Sequence, residues 1–151
     1  MIRLAALPFD PAAELAAFAR QSVGGGPGAI ASFTGLVRAE DSEVSGLELV
    51  HHPLLTPRSL KEIEAATRAR FALIDLIIVH RHGRVEPGEP IVFVAAAAHH
   101  RRPAFDAVDY AMDRLKLDAM FWKKEHRADG DRWIEPRPDD HAAAARWEQP
   151  A

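Results

Sequence analysis

The sequence of 151 residues predicts a single α+β domain with mostly antiparallel strands and three main helices. Two near-continuous apolar runs of strand length, Leu73 to His80 and Ile91 to Ala98, flank Glu86-Pro87-Gly88-Glu89, whose central Pro-Gly pair is typical of a type II turn. Asp129-Gly130 is a second turn signal, between two short strand-like segments near the end of the chain. Strands joined by such short turns pair antiparallel, which favours the α+β class.

The first elements follow from a helix cap and from β-branched content. Ile2 to Leu7 is predicted as a strand, and Asp10-Pro11 then supplies an N-cap and a first-turn proline for a helix to about Gln21. The glycine-rich connection 23–28 cannot continue this helix, and Ala29 to Val37 is predicted as a strand. Because a strand follows the glycines and no Gly-Lys-Ser/Thr is present, this connection is not a phosphate-binding P-loop.

The middle of the chain repeats the same signals. Leu47 to His51 is predicted as a strand, and Thr56-Pro57 again supplies a cap and a proline. The helix that begins there is expected to run to about Arg70, with Leu60 and Ile63 facing the core.

The last third of the chain predicts a helix and a hairpin. Pro103 opens a third helix that ends near Lys116, and the segments 119–125 and 132–135 are predicted as strands. The polar, alanine-rich tail 136–151 has no clear pattern, so we expect a flexible tail at the end of one domain spanning residues 1–151. The apolar face expected for the third helix consists of Phe105, Val108, Met112 and Leu115.

Composition excludes several classes of protein. The absence of cysteine excludes disulfides, thiolate zinc sites, a cysteine nucleophile and a persulfide carried by this chain. A net charge of −3 argues against a general nucleic-acid binder. The longest apolar runs are far shorter than the roughly 20 residues of a membrane helix. Because Met1-Ile2-Arg3-Leu4 also lacks a signal-peptide layout, we expect a cytoplasmic protein.

Positive charge is concentrated in one part of this acidic protein. Between His99 and Arg127 there are seven Lys and Arg against five Asp and Glu, a local excess of two positive charges. His99-His100-Arg101-Arg102 lies where a buried strand meets the predicted third helix, and a helix start offers free N–H groups and a favourable dipole to phosphate. The segment therefore indicates a compact anion site, the alternative being an ordinary solvated loop.

Three lysines near the end of this segment are candidates for chemistry. Lys116 lies in the last turn of the third helix, where the dipole favours a cation whatever its function. Lys123 and Lys124 are neighbours on a strand and must point to opposite faces, so only one of them can share a pocket with other catalytic groups. A lysine desolvated among cations has a lowered pKa and can act as a nucleophile or a general base.

Histidines raise a metal-site alternative. His80 and His82 would face the same side of an extended segment, as metal ligands often do. Whether His51, His52 or His100 approaches them cannot be decided from the sequence.

Eight short motifs occur in one fixed order between about Gly28 and Trp133. They are Phe33-Thr34-Gly35-Leu36-Val37-Arg38, His80-Arg81-His82-Gly83, Pro87-Gly88-Glu89, His100-Arg101, Ala104-Phe105, Leu115-Lys116, Phe121-Trp122-Lys123-Lys124-Glu125 and Gly130-Asp131-Arg132-Trp133. Any one of the motifs is weak evidence, whereas the whole set in this order is highly specific. In this ordered set the chain resembles the large, catalytic subunit family of molybdopterin synthase.

The resemblance implies an α/β-hammerhead fold and a sulfurtransferase. In that family, a homodimer of large subunits binds two small ubiquitin-like subunits, each of which inserts a C-terminal Gly-Gly thiocarboxylate into a pocket of the large subunit. Two successive sulfur transfers convert cyclic pyranopterin monophosphate to molybdopterin. The lack of cysteine agrees with a sulfur donor on the partner, and no cofactor or metal is expected. A homodimer is also expected because the strands Leu73 to Val79 and Ile91 to Ala98 offer more apolar surface than three helices easily cover.

The residue match assigns two groups of side chains. It implies that Arg38, His100 and Arg101 anchor the substrate, and that Lys116 and Lys123 are the catalytic pair, with their individual roles left open. Two alternatives remain at this point: a non-catalytic anion-binding regulatory domain of the same fold, and a histidine-metal hydrolase.

Overall fold

A computed structural model describes residues 1–38 and 44–148. None of the helices in these two ranges is both long enough and apolar enough to cross a membrane. The helices are α1 (Pro11–Ser22), α2 (Leu55–Arg70), α3 (Arg101–Asp118) and α4 (Pro138–Ala145), with a short 3₁₀ turn at Val23–Gly25. The strands are β1 (Ile2–Ala5), β2 (Ala29–Leu36), β3 (Val44–His51), β4 (Asp75–Arg81), β5 (Gly83–Val85), β6 (Pro90–Ala98), β7 (Phe121–Arg127) and β8 (Arg132–Ile134).

The first sheet has the strand order β1-β4-β6-β2 and is covered on both faces. β1 pairs parallel with β4, and the other two pairings are antiparallel, as predicted for the two apolar runs. Helices α2 and α3 cover one face with Leu60, Ile63 and Leu115, and α1 covers the other with Phe18. Ala95 to Ala98 are fully buried, and their small side chains let helices approach the sheet closely from both sides.

The second sheet has the order β5-β3-β7-β8 and is entirely antiparallel. The hairpin at Asp129-Gly130 is confirmed as the β7–β8 connection, with Gly130 at φ +118°. Strand β5, which was not predicted, lies between β4 and β6 in the chain and pairs with β3 of the second sheet. Val37, Leu49 and Val85 form a small core under this sheet. The predicted α+β class with mostly antiparallel strands is confirmed, and the described ranges contain four α-helices rather than three.

The start of α2 differs from the prediction, because Thr56 is not its N-cap. The helix begins at Leu55, and Thr56 is fully buried. The Thr56 hydroxyl accepts the N–H of His52 and donates to the carbonyl oxygen of Met120, whose own N–H is bound by Ser59 Oγ. These bonds fix the backbone just before β7.

Replacing Thr56 by valine should therefore lower the free energy of unfolding by about 1–3 kcal/mol, since two part-buried hydrogen bonds, each worth roughly 0.5–1.5 kcal/mol, are lost together. Thr67→Val is a matched control, because Thr67 is equally buried but its hydroxyl donates only to the Ile63 carbonyl, within the helix. Urea unfolding of both variants measures the difference. An equal loss in the two variants would contradict the bridging role of Thr56.

Helix α3 begins at Arg101, two residues before Pro103, which is still in the first turn, where a missing N–H is tolerated. Phe105 does not face the core as predicted, since 58% of its surface is exposed. Val108 and Leu115 are buried as predicted and Met112 packs against the same core, but Ala104 rather than Phe105 contacts the sheet at the start of the helix. The buried stripe of α3 consists of Ala104, Ala107, Val108, Ala111 and Leu115.

The tail contains a helix, α4, that the sequence analysis did not predict. Trp147 fastens its far end: the indole N–H donates to Asp113 Oδ2 at 2.7 Å, and the ring makes edge contacts with Phe71 and Tyr110. Arg146 pairs with Asp109 and Asp113 at 2.8 and 2.7 Å. Within residues 136–148 the chain is thus held against α3, while the last three residues of the expected flexible tail lie outside the described part.

Candidate active site

A cavity of about 400 Å³ opens between the end of α3, the second sheet and the tail. Its apolar wall includes Val37, Leu47 and Phe121, and Lys116 and Lys123 line it together. Further charged residues at its edge are Arg38, Glu125, Glu135, Arg137 and Asp140. The site therefore combines an apolar wall with four cations and three carboxylates, a lining of net positive charge that suits anionic reactants.

Lys123 reaches this cavity from the middle of β7. It pairs in register with Leu49 of β3 and Ile134 of β8, so its backbone is held from both sides. Burial lowers the pKa of Lys123 below its usual value, and the nearby Lys116 lowers it further, while the carboxylate of Asp140 acts in the opposite direction. No carboxylate within residues 1–38 and 44–148 lies at ion-pair distance from its ammonium.

Lys124 lies on the opposite face of β7, which confirms the predicted alternation. Its Nζ lies 3.3 Å from Glu48 Oε2 and 3.8 Å from Asp131 Oδ2, and 5.5 Å from the centre of the Trp133 ring. Lys124 is absent from the cavity wall. The two neighbouring lysines are therefore in different environments, one at a pocket and one in a surface ion-pair network.

Lys116 approaches the cavity from the last turn of α3. Its Nζ lies 3.0 Å from Asp140 Oδ1, and about half of its side chain is exposed. Arg38 follows β2 and contributes to the same wall. Three of the five predicted site residues, Arg38, Lys116 and Lys123, are thus brought together.

The other two predicted site residues, His100 and Arg101, lie at the opposite end of α3. With Gly28, His99 and Arg102 they line a separate open concavity of about 440 Å³. Gly28 is required there, because an added Cβ would lie 2.3 Å from the carbonyl oxygen of His99. An α-helix rises about 1.5 Å per residue, so Arg101 and Lys116 are about 22 Å apart along α3. One small substrate cannot contact both ends within one chain.

The histidines do not form a metal site in the described residues, which hold no suitable group of three or more His, Asp or Glu side chains. His80 is stacked on Phe121 at 4.3 Å, whereas His82 contacts His51 at 4.2 Å. Burial lowers the pKa of His80 to about 4, so its ring is neutral at neutral pH. The rings of His80 and His82, which were predicted to face the same side of an extended segment, therefore contact different aromatic rings.

Asp140 and Arg137 are charged groups at the cavity that sequence reasoning missed. A signal was present, because Pro138 followed by Asp139 and Asp140 is typical of a helix start with acids in its first turn. The alanine-rich remainder of the tail obscured that signal.

Comparison with known proteins gives consistent matches over nearly the whole chain. A model of the family described as MoaE protein matches residues 4–118. The chain is 49% identical over 150 residues to the molybdopterin synthase catalytic subunit of Pseudomonas aeruginosa, covering 98% of this chain and 99% of the relative.

Solved structures agree with this result. A molybdopterin biosynthesis MoaE protein from Burkholderia ambifaria superposes with a TM-score of 0.82 at 42% identity, over 99% of both chains. A chain in the complex of subunits 1 and 2 of the molybdopterin-converting factor from Helicobacter pylori gives a TM-score of 0.76, over 90% of this chain and 91% of that one. At 19% identity, the second match shows a shared fold.

Proposed function

This chain belongs to the MoaE protein family, and from that premise we propose that it is the catalytic subunit of a molybdopterin synthase, a sulfurtransferase of molybdenum cofactor biosynthesis. The observation that carries the proposal is the convergence of Lys116 and Lys123 on one cavity, with burial lowering the pKa of Lys123. The relatives that are about half identical to this chain are named for the same catalytic subunit.

The proposed substrate is cyclic pyranopterin monophosphate, and the proposed sulfur donor is the C-terminal thiocarboxylate of a small subunit. This chain has no cysteine to carry sulfur, so the donor must be supplied in trans. Both reactants are anionic and repel each other unless cations lie at both ends of the site. Lys116, Lys123 and Arg38 supply such cations at the cavity.

The lysines then have two tasks. An ammonium group stabilises the negative charge that develops as sulfur attacks and as the acyl group is released. A neutral amine accepts a proton and returns it later in the cycle. Partial burial makes both tasks easier, because the electrostatic interactions are stronger away from water and the amine is more readily deprotonated.

We also propose that a second copy of the chain completes the site. If His100 and Arg101 anchor the substrate phosphate while the lysines act on the sulfur, the 22 Å length of α3 requires the two ends to come from different protomers. The strands β4 and β6 do not supply the exposed apolar surface that was expected to drive dimerisation, because both of their faces are covered. Exposed apolar side chains are found instead on edge strand β2, at Ile30, Phe33 and Leu36, and they offer a surface for a second copy.

The direct test supplies purified protein with cyclic pyranopterin monophosphate and a thiocarboxylated small subunit, and measures molybdopterin. We expect conversion without added metal. Binding of substrate without partner binding and without conversion would support the regulatory-domain alternative instead. Loss of activity on chelation, restored by one particular metal, would contradict the metal-free chemistry, and a stoichiometric metal found by elemental analysis of the purified protein would favour the hydrolase alternative. The cytoplasmic location stays a prediction.

A further inference from the structure

Among residues 1–38 and 44–148, Asp140 is the acidic residue that pairs with Lys116 and also acts on the charge of Lys123. Its Oδ1 lies 3.0 Å from Lys116 Nζ, and its Oδ2 accepts the N–H of Arg137 at 2.9 Å. The carboxylate is in the first turn of α4, where the helix dipole favours a negative charge. Only 17% of its side chain is exposed. The carboxylate is therefore fixed in position before any ligand arrives.

The position of Asp140 depends on the anchor at the far end of α4. The bonds of Trp147 and Arg146 to Asp113 hold the helix along α3, so that its first turn meets the last turn of α3. Lys116 belongs to that last turn. The packing of α4 against α3 therefore places the carboxylate of Asp140 next to Lys116.

The contact between Asp140 and Lys116 gives Lys116 and Lys123 different electrostatic environments. Lys116 has a carboxylate at ion-pair distance, whereas Lys123 has none within the described residues. The pKa of Lys123 is lowered by burial and by Lys116, and Asp140 opposes part of that effect. The pKa of Asp140 itself is lowered by its bonds to Arg137 and Lys116, against the effect of burial, so it stays ionised. The other charged or titratable groups facing Lys123 or lining its cavity are His80, Arg38, Glu125, Glu135 and Arg137.

We propose that Asp140 is a positioning residue for sulfur transfer, whose carboxylate fixes Lys116 as the permanent cation of the cavity and leaves Lys123 to exchange the proton. The inference rests on the proposed function and assigns the two roles that the sequence left open. When the acyl group of the small subunit is released by hydrolysis, water forms a C–O bond to the acyl carbon and the C–S bond breaks. The neutral amine of Lys123 takes a proton from that water and its ammonium gives the proton to the leaving thiolate, so no net proton remains on the protein.

The test compares Asp140→Asn with Asp139→Asn in the full chain with its thiocarboxylated partner. Asparagine keeps an acceptor for the Arg137 N–H, so α4 should still begin at the same residue. Asp139 is an exposed residue in the same helical turn. The Asp139→Asn substitution therefore removes the same charge without changing a contact to Lys116. We expect the single-turnover rate of Asp140→Asn to be lower than that of the wild-type protein by about tenfold, because Lys116 is no longer held in a fixed geometry. Asp139→Asn should be unchanged, and Asp140→Glu should recover part of the rate.

A second measurement does not depend on turnover. The negative charge of Asp140 raises the pKa of Lys123, so this pKa should fall when the carboxylate is removed. NMR titration of the lysine ammonium groups should show the fall in Asp140→Asn and not in Asp139→Asn. The acid limb of the pH–rate profile should move to lower pH with it. An unchanged or faster rate in Asp140→Asn, or an equal shift in Asp139→Asn, overturns the proposal. Failure of the wild-type protein to convert substrate would instead refute the proposed function, and the titration would still decide whether Asp140 acts on Lys123.

Discussion

Lys123→Ala is expected to abolish most molybdopterin formation, with a loss of at least about 100-fold in single-turnover rate, because it removes a positioned proton-transfer group. The melting temperature should change little, because Lys123 lies outside the main core and forms no ion pair with the described residues, so its loss should change stability within about 0.5 kcal/mol. Lys116→Ala should lose activity to a similar extent. The assay uses pre-thiocarboxylated partner, so that the chemical step is separated from recharging of the small subunit.

Lys124→Ala is the matched control for this experiment. The residue is chemically identical and adjacent, but it lies on the other face of β7, paired with Glu48 and Asp131. Substantial activity should remain in this variant. Equal losses in Lys123→Ala and Lys124→Ala, with both proteins folded and binding the partner, would falsify the assignment of Lys123. A loss confined to Lys124→Ala would move the catalytic role to the neighbouring residue.

Mixing two impaired variants, at a substrate concentration too low to saturate the Arg101→Ala protein, should restore activity if the site is shared between protomers. Arg101→Ala should weaken substrate binding strongly, since an arginine contact to phosphate is worth on the order of 1.5–3 kcal/mol. A dimer of one Arg101→Ala chain and one Lys123→Ala chain would then contain one intact site and one doubly damaged site. With full subunit exchange at equal amounts, half of the dimers are mixed, so about a quarter of the wild-type activity should return.

The control for the mixing experiment is Lys116→Ala with Lys123→Ala. Both lysines line the same cavity of one chain, so no mixed dimer has an intact site and no activity should return. Recovery in this control, or none with Arg101→Ala, would contradict a shared site. A monomer by light scattering at micromolar concentration would exclude it altogether. Arg102→Ala tests the register, because a loss of binding there without one in Arg101→Ala would shift the phosphate anchor by one residue.

Local patterns predicted the parts of this fold that depend on neighbours in sequence. The alternation of Lys123 and Lys124, the hairpin at Asp129-Gly130 and the cap at Asp10 follow from strand geometry, turn chemistry and a hydrogen bond to Ala12. Thr56 carries the same cap-plus-proline pattern, but its hydroxyl bridges to Met120, 64 residues away. No local rule reveals such a long-range partner.

The site was predicted less completely than the fold. Asp140 was missed because its role depends on the packing of α4 against α3, which rests on Trp147. The separation of Arg101 from Lys116 did not need a structure, since both residues were predicted at the ends of one helix with a known rise per residue. Matching residues to a family does not say which of them come from the same chain.

Helix α3 carries Arg101 in its first turn and Lys116 in its last turn, at the two halves of the proposed site. The helix therefore fixes both the distance between these two cations and the angle between them about the helix axis. With 3.6 residues per turn, one inserted residue would rotate Lys116 by about 100° relative to Arg101 and lengthen the distance between them by about 1.5 Å. A compensating insertion elsewhere in the chain cannot correct this rotation. Changes of chain length are therefore compatible with this arrangement in surface connections but not between residues 101 and 116.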